Sequence, residues 1–487
     1  PKPVYLFIEN GQAELREASD LWGKDTNEVD DLLKARHGKE TVVSCIGPAG
    51  EKLVLFSCAI NDKGRAPGRS GLGAVMGAKK LKAIVAKGSA RPAIHDEAGL
   101  RESVRQLLPK IRENTQRLHN IGTSGGVVTF ERLGNLPLQN WRLGSWPQGA
   151  EKISGDRMAE TILTGTYACG GCPIACGREV AVIQGPYAGV QGAGPEYETV
   201  ASFGSMCLID DIEAIAKLNE MCNRYGLDTI SVGCTVAFAM EAQERGLIAG
   251  GPTWGDAEGA MRLVREIAEQ SSELGRLMGQ GVRRAAEKLG GRALEFAIHV
   301  KGLELPMHDP RAYVGMAVGY ATSSRGACHL QGMSHFPARG YPMTEIGVPE
   351  VERTDDSVHG VITAKYQDMM CLFDSLKLCK FLLFARVTLT DIVNWANLVT
   401  GWGVTVEELM KAGERITNLK RLFNARLGIS RKDDTLPVRL LAQRRGTGGS
   451  PDHLPHLGRM LADYYAYRGW DEEGLPTPEK LAELGLP

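Results

Sequence analysis

The sequence lacks any uninterrupted apolar run long enough to span a bilayer, which sets aside a helical membrane protein. Its opening residues show no signal-peptide pattern. An excess of charge is missing too: 57 Lys and Arg against 58 Asp and Glu leave a formal net charge of −1. Nucleic acid and anionic membrane surfaces are therefore not expected partners. Internal repeats and low-complexity tracts are absent. The first residue is Pro1 rather than methionine, and a hairpin pattern begins at once, so the natural N-terminus is expected to lie further upstream.

What is present is ordinary globular material, 43% hydrophobic and 24% charged, enough for large cores. A length of 487 residues predicts about three domain-sized units. Eleven cysteines, an odd number in so long a chain, fit a reducing cytoplasm better than a secreted disulfide framework.

The patterning predicts an α+β chain. Residues 1–93 read as β-rich with glycine loops. Val4–Ile8 and a turn at Asn10-Gly11 form a hairpin, and "TVVSCIG", "KLVLFSCAI" and "LKAIVAKG" are further strand-like runs. Residues 94–300 and 301–487 read as two mainly helical domains. In the first, Leu100, Val104, Leu107 and Ile111 make one apolar stripe, and Pro109 predicts a kink in it. Asp211 and Gly226 bound another helix, and Asp228 and Gly246 the next. In the second, "TAKYQDMMCLFDSLKLCKFLLF" is apolar on several faces and reads as buried helix.

The densest chemistry is "CGGCPIAC", residues 169–176. Cys169, Cys172 and Cys176 in a C-x2-C-x3-C loop bring three thiolates near one point, with glycines that let backbone N–H groups turn toward sulfur. An iron–sulfur cluster needs this arrangement and a fourth thiolate. Structural zinc usually takes two C-x2-C pairs, and a second pair is missing. On spacing alone the fourth ligand is Cys371, Cys379 or an exogenous molecule.

Other stretches are weaker. "NDKGRAPGRSGLGAVMGAKKLKAI" (61–84) joins glycines to Arg65, Arg69, Lys79, Lys80 and Lys82, which suits a phosphate-bearing ligand or, equally, a solvated loop. It is neither a Walker A loop nor a dinucleotide fingerprint. "GPEYE" (194–198) offers Glu198 as a general base or simply a capped turn. His329, at the end of "RGACH", is a catalytic or a structural imidazole. Asp374 opens "DSLKLC" in an apolar stretch, where a carboxylate needs a partner.

Together these segments resemble the tungsten- or molybdenum-containing aldehyde ferredoxin oxidoreductases. The resemblance runs from "KPVY" through "IGPAGEKLV", "GRSGLGAVMGAKKLKAI", "CGGCPIAC", "GPEYE", "NRYGLDTIS", "GYATSSRGACH" and "DSLKLC" to "YRGWDEEGLP". It implies that the β-rich part is a pterin-binding domain, incomplete here because the family's opening β segment does not appear. It implies a tungsten or molybdenum bis-pterin centre beside a [4Fe–4S] cluster held by Cys169, Cys172, Cys176 and Cys379. The family's two D-x-x-G-L-[C/D] pterin motifs match Asn223-Arg-Tyr-Gly226-Leu227-Asp228 and Asp374-Ser-Leu-Lys377-Leu378-Cys379. Asparagine replaces the first aspartate and lysine the second glycine. Arg65 and Ala66 match residues near the pterin phosphates and their bridging Mg2+, and Glu198 and His329 match the groups proposed for proton handling.

The implied activity is oxidation of an aldehyde to a carboxylic acid, with electrons passed to ferredoxin or an iron–sulfur partner subunit. Some members bind iron between two subunits through an E-x-x-H motif. Lys217 and Glu220 stand there, so a homodimer is expected to lack that iron. The rival expectations are a related reductase of activated aromatic acids and a non-catalytic electron-transfer subunit.

Overall fold

The computed structural model describes residues 2–487. Five strands near the N-terminus form one sheet: β1 (Val4–Glu9), β2 (Gln12–Glu17), β3 (Val42–Ile46), β4 (Ala59–Asn61) and β5 (Leu81–Lys87). Their order is β2-β1-β5-β3-β4, with β1 parallel to β5 and the other pairs antiparallel. The β1–β2 turn carries positive φ at both Asn10 and Gly11, as a tight two-residue hairpin requires. Alternation in β1 turns Tyr5 and Phe7 inward, where Val29 and Leu33 of the helix Thr26–His37 cover them.

The strand-like run "KLVLFSCAI" gives only the short β4. Lys52–Cys58 instead folds as turns, its backbone bonding outward: Leu55 N donates to Gly279 O and Cys58 N to Gly226 O. The glycine-rich stretch divides into a loop and a short helix, Leu72–Ala78.

Helices dominate the remainder. Glu97–Asn114 is one helix with Pro109 inside it. The carbonyl that loses its donor belongs to Arg105, and both residues lie on the exposed face, so water satisfies it. Ile212–Tyr225 and Thr229–Glu244 are capped at their N-termini by Asp211 and Asp228. Residues Ile230–Ala242 of the second are all buried, making it the central rod of the main core. A second core surrounds His359–Ser375. That helix stops at Ser375, because Lys377 turns left-handed at φ +56°, so "KLCKFLLF" does not continue it. The mixed architecture is α+β, with the sheet N-terminal and the rest mainly helical. None of the described helices is long and apolar enough to cross a membrane.

Candidate active site

The cysteine loop joins β6 (Leu163–Tyr167) to β7 (Gly177–Ala181), which pairs in turn with β8 (Gln191–Ala193). Cys169 and Cys379 are exposed, and Cys172 and Cys176 are half-buried. The thiols act on one another. Burial pushes Cys176 up to about 12, with Glu196, Cys379 and Cys172 adding to the rise and Arg65 opposing it. Burial also raises Cys379, with Cys172 and Cys169 contributing. Among the described residues no three His, Cys, Asp or Glu converge tightly enough for a single metal ion. Four thiols, three of them within eight residues of the chain, are the donor set that an iron–sulfur cluster takes.

Arg65 overhangs this loop. Its guanidinium lies over the Tyr167 ring at 4.7 Å and donates from Nη1 to Glu196 at 2.9 Å. Gly177 makes room for it, since a Cβ there would come within 2.7 Å of Arg65 Nη2 and of the Tyr167 ring. Burial pulls this guanidinium down, but Glu196, Tyr167, Cys169 and Cys176 together more than offset it, so its pKa is raised overall. Arg65 Nε and Nη2 are buried with no acceptor among the described residues. Two buried, unused donor atoms on a half-buried cation are what an anionic group such as a phosphate would satisfy. Ala66 beside it is exposed.

The two pterin-like motifs make the same turn. Gly226 N donates to Asn223 O at 3.3 Å and Leu227 N to Cys222 O at 2.8 Å. Lys377 N donates to Asp374 O at 3.3 Å and Leu378 N to Phe373 O at 2.8 Å. Each is a helix C-cap with a left-handed residue, satisfying carbonyls the helix leaves open. Leu227 is buried in the main core, and Leu378 packs against the second.

The leading side chains differ in availability. Asp374, half exposed, pairs with Lys380 Nζ at 2.9 Å, and among the described residues no hydrogen bond is made by the Asn223 amide. Asp228 is committed locally. It accepts from Ile230 N and Ser231 N, and lies 3.0 Å from Arg69 Nε, which is not aligned for a hydrogen bond.

Glu198 stands in the short helix Tyr197–Val200, entered through the "GPEYE" turn. Its Oε2 accepts from Met307 N at 2.9 Å. Its Oε1 has no hydrogen bond and faces two imidazoles, His308 Nε2 at 3.5 Å and His329 Nε2 at 3.6 Å. Burial pushes this carboxyl up to about 7, opposed by the Met307 N–H and Arg69 and aided by Asp228. Burial drives both histidines the other way, His308 to about 3 and His329 well below its ordinary range. The pairs are thus neutral imidazoles facing a carboxyl that titrates near neutrality, not fixed salt bridges. His308 Nδ1 bonds Asn135 Nδ2 at 2.9 Å, and His335 stacks on His308 at 4.9 Å.

The sequence reading brought Glu198 and His329 forward but passed over His308, His335 and Asn135. The available signal was that three of the ten histidines fall between residues 308 and 335. Lys217 donates to Glu220 at 2.7 Å, so the pair that stands at the E-x-x-H positions is engaged with itself.

Comparison with known proteins identifies the family. The profile of "Aldehyde ferredoxin oxidoreductase, N-terminal domain" matches residues 1–88, and that of "Aldehyde ferredoxin oxidoreductase, domains 2 & 3" matches residues 100–486. The chain belongs to the aldehyde ferredoxin oxidoreductase family. It is thereby an oxidoreductase.

The tungsten-containing aldehyde ferredoxin oxidoreductase of Pyrococcus furiosus is 39% identical, the match covering 100% of this chain and 80% of that protein. The enzyme of the same name from Thermococcus kodakarensis is 38% identical with the same coverage. The WOR-like subunit of an aliphatic sulfonate oxidoreductase from Pyrococcus furiosus is 29% identical, covering 99% of this chain and 78% of that one. Among solved structures, the active-site complex BamBC of benzoyl coenzyme A reductase shares the fold. Its TM-score is 0.82 at 22% identity, over 100% of this chain and 80% of that one.

Proposed function

We propose that this family member oxidises aldehydes to carboxylic acids by R–CHO + H2O → R–COOH + 2e⁻ + 2H⁺, the electrons leaving to ferredoxin or an iron–sulfur partner subunit. The observation that carries the reading is Glu198. It is a buried carboxyl titrating at about 7, with one oxygen free and two neutral imidazoles within 3.6 Å.

A tungsten or molybdenum bis-pterin group, when bound, supplies the two-electron acceptor, and a [4Fe–4S] cluster carries the electrons away singly. Cys169, Cys172, Cys176 and Cys379 would hold the cluster. Asn223, Leu227, Asp228, Asp374 and Leu378 would hold the pterins, and Arg65 and Ala66 would lie by their Mg2+-bridged phosphates.

The chain's own contribution is proton handling. Glu198 Oε1 takes a proton as water adds to the carbonyl carbon, because a base works best with a pKa near the operating pH. A neutral His329 donates from Nε2 to the carbonyl oxygen and polarises it. The Met307 N–H keeps Glu198 Oε2 occupied, so that Oε1 is the oxygen turned to the substrate. In this reading the protein works in the cytoplasm, and any homodimer has no iron at Lys217 and Glu220.

The test is Glu198→Gln in full-length holoenzyme made anaerobically. Turnover should fall roughly 10²–10⁴-fold with tungsten or molybdenum and iron contents unchanged. Undiminished turnover at normal metal content would remove Glu198 from the mechanism.

A further inference from the structure

Four buried polar atoms without a hydrogen-bond partner among the described residues gather around Glu198: its own Oε1, His329 Nδ1, His335 Nδ1 and Asn135 Oδ1. His308 is the imidazole in this group whose two ring nitrogens both face a polar atom. Its Nε2 lies 3.5 Å from Glu198 Oε1, and its Nδ1 lies 2.9 Å from Asn135 Nδ2. An amide nitrogen only donates, so Nδ1 accepts and carries no proton. Burial keeps His308 neutral, its pKa pushed down to about 3. A neutral imidazole with a bare Nδ1 carries its proton on Nε2, the nitrogen that faces the one Glu198 oxygen Met307 leaves free. With the amide reversed, Nδ1 would hold the proton. A bare Nε2 would then oppose a carboxylate oxygen, acceptor against acceptor, whenever Glu198 is ionised.

Asn135 is itself locked in place. It follows Gly134, the left-handed C-cap (φ +79°) of the helix Val127–Leu133. Its N–H donates to Phe130 O at 2.7 Å, and its carbonyl accepts from Asp309 N at 2.9 Å. Asp309, next in the chain to His308, is fully buried between Arg311 Nη2 at 2.7 Å and Arg445 Nη1 at 2.6 Å. Asn135 thus holds both the backbone beside His308 and the Nδ1 of its ring. The ring packs against His335, Tyr197 and Phe130, with centroids 4.9, 5.2 and 5.4 Å away, and this packing opposes a ring flip.

His329 is held differently. Its Nε2 is 3.6 Å from the same Oε1, but its Nδ1 has no partner among the described residues, so no protein group fixes its tautomer. The two imidazoles on Glu198 are alike in distance and unlike in freedom.

We infer that Asn135 is a positioning residue that holds His308 as the Nε2–H tautomer, making His308 the fixed donor to Glu198 Oε1 and leaving His329 free to donate to the substrate. At 3.5 Å the contact is longer than a formed hydrogen bond; it shortens when Glu198 ionises, because a charged acceptor holds its donors more tightly. A donor to the ionised form opposes the burial that raises Glu198, and so keeps the base available at neutral pH. The division of roles rests on the proposed use of Glu198 as base. The tautomer does not.

Two measurements test it. Nitrogen-15 NMR of the full chain without cofactor, with labelled histidines, reads the tautomer, and His308→Phe identifies the signal. A proton on Nε2 and a bare Nδ1 at neutral pH support the inference. A proton on Nδ1, alone or together with one on Nε2, overturns it.

The second measurement is the pH profile of the holoenzyme. Glu198 is faced by Met307 N–H, Arg69, Asp228, Tyr197 and Tyr320. His308 is faced by His329, His335 and Arg339, which lies over the Phe130 ring at 4.8 Å. Asn135→Leu and His308→Phe leave all of these in place and remove the donor or its support. The rise of kcat/KM with pH, centred near 7 in the wild type, should move up by about one pH unit in each variant, because a base that loses a donor to its ionised form must be titrated at higher pH. kcat/KM then drops about tenfold near pH 6 and hardly at all near pH 9, at unchanged metal and iron contents. His308→Gln, whose amide can donate in place of Nε2–H, should keep the midpoint close to that of the wild type. A loss equal at every pH, with unmoved midpoints, is what a merely structural role would give, and it overturns the inference even where Glu198→Gln abolishes turnover. Should Asn135→Leu fail to fold, His308→Phe and the NMR result decide. If the wild type oxidises no aldehyde, the proposed function fails, and the NMR result alone decides the tautomer.

Discussion

Gly226 and Lys377 occupy the same place in the same turn, with φ +74° and +56°, each followed by a leucine whose N–H closes the cap at 2.8 Å. Only one of them is the residue that this backbone favours. A side chain in the left-handed region costs about 1–2 kcal/mol relative to glycine, partly returned by the lower entropy of its unfolded chain. Lys377→Gly should therefore raise stability by roughly 0.5–1 kcal/mol in urea unfolding of the cofactor-free chain. A loss of stability would mean that the lysine side chain contributes more than its backbone costs.

The reverse change is expected at Gly226. A Cβ there would lie 2.8 Å from Gly47 N and 3.0 Å from Cys58 O, both backbone atoms that have no rotamer to yield. Gly226→Ala should destabilise by more than about 2 kcal/mol and disturb the approach of the N-terminal sheet to the helix Ile212–Tyr225. Circular dichroism melts of the two variants, run together, read the contrast directly.

The buried carboxyl predicts a pH dependence. Glu198 is faced by Met307 N–H, Arg69, Asp228, His308 and His329, and its pKa rises from 4.5 to about 7. The folded state therefore holds a proton that the unfolded state has released. Stability from this group is complete below about 4.5 and lost as pH rises through 7, a change on the order of 3 kcal/mol. Glu198→Gln, which stays neutral, should be increasingly more stable than the wild type across that window. A difference that does not vary with pH would show that the carboxyl titrates in its ordinary range.

Iron content tests the thiols. Wild type made anaerobically should carry about four irons per chain, with the broad visible absorption of a cluster. Cys379→Ser should lose most of both, because it removes one of four ligands. Cys371→Ser should keep them: that thiol is buried beside Thr417 and Lys420, at 3.6 and 3.5 Å, and is not among the groups acting on Cys176 or Cys379. The opposite pattern would exchange the two cysteines.

Local chemistry made much of this protein legible in its sequence. The Asn10-Gly11 hairpin, the Asp211 and Asp228 caps and the Cys169–Cys176 loop depend on residues adjacent in the chain, and the backbone adopts what those residues favour. The family motifs also brought Glu198 and His329 forward as a pair. Contacts made at long range were not legible. "KLVLFSCAI" has the composition of a strand, yet its backbone bonds to Gly279 and Gly226, partners no local pattern reveals. Pro109 stands inside a continuous helix, which tolerates it because the open carbonyl faces water. Glu198 is titratable near neutrality only because the main core buries it, and His308 meets it only because residues 110 apart in sequence fold together (308 − 198). Arg339 reads in the chain as one more surface cation. The tertiary structure alone surrounds it with rings, because packing is a property of the folded molecule and not of any segment.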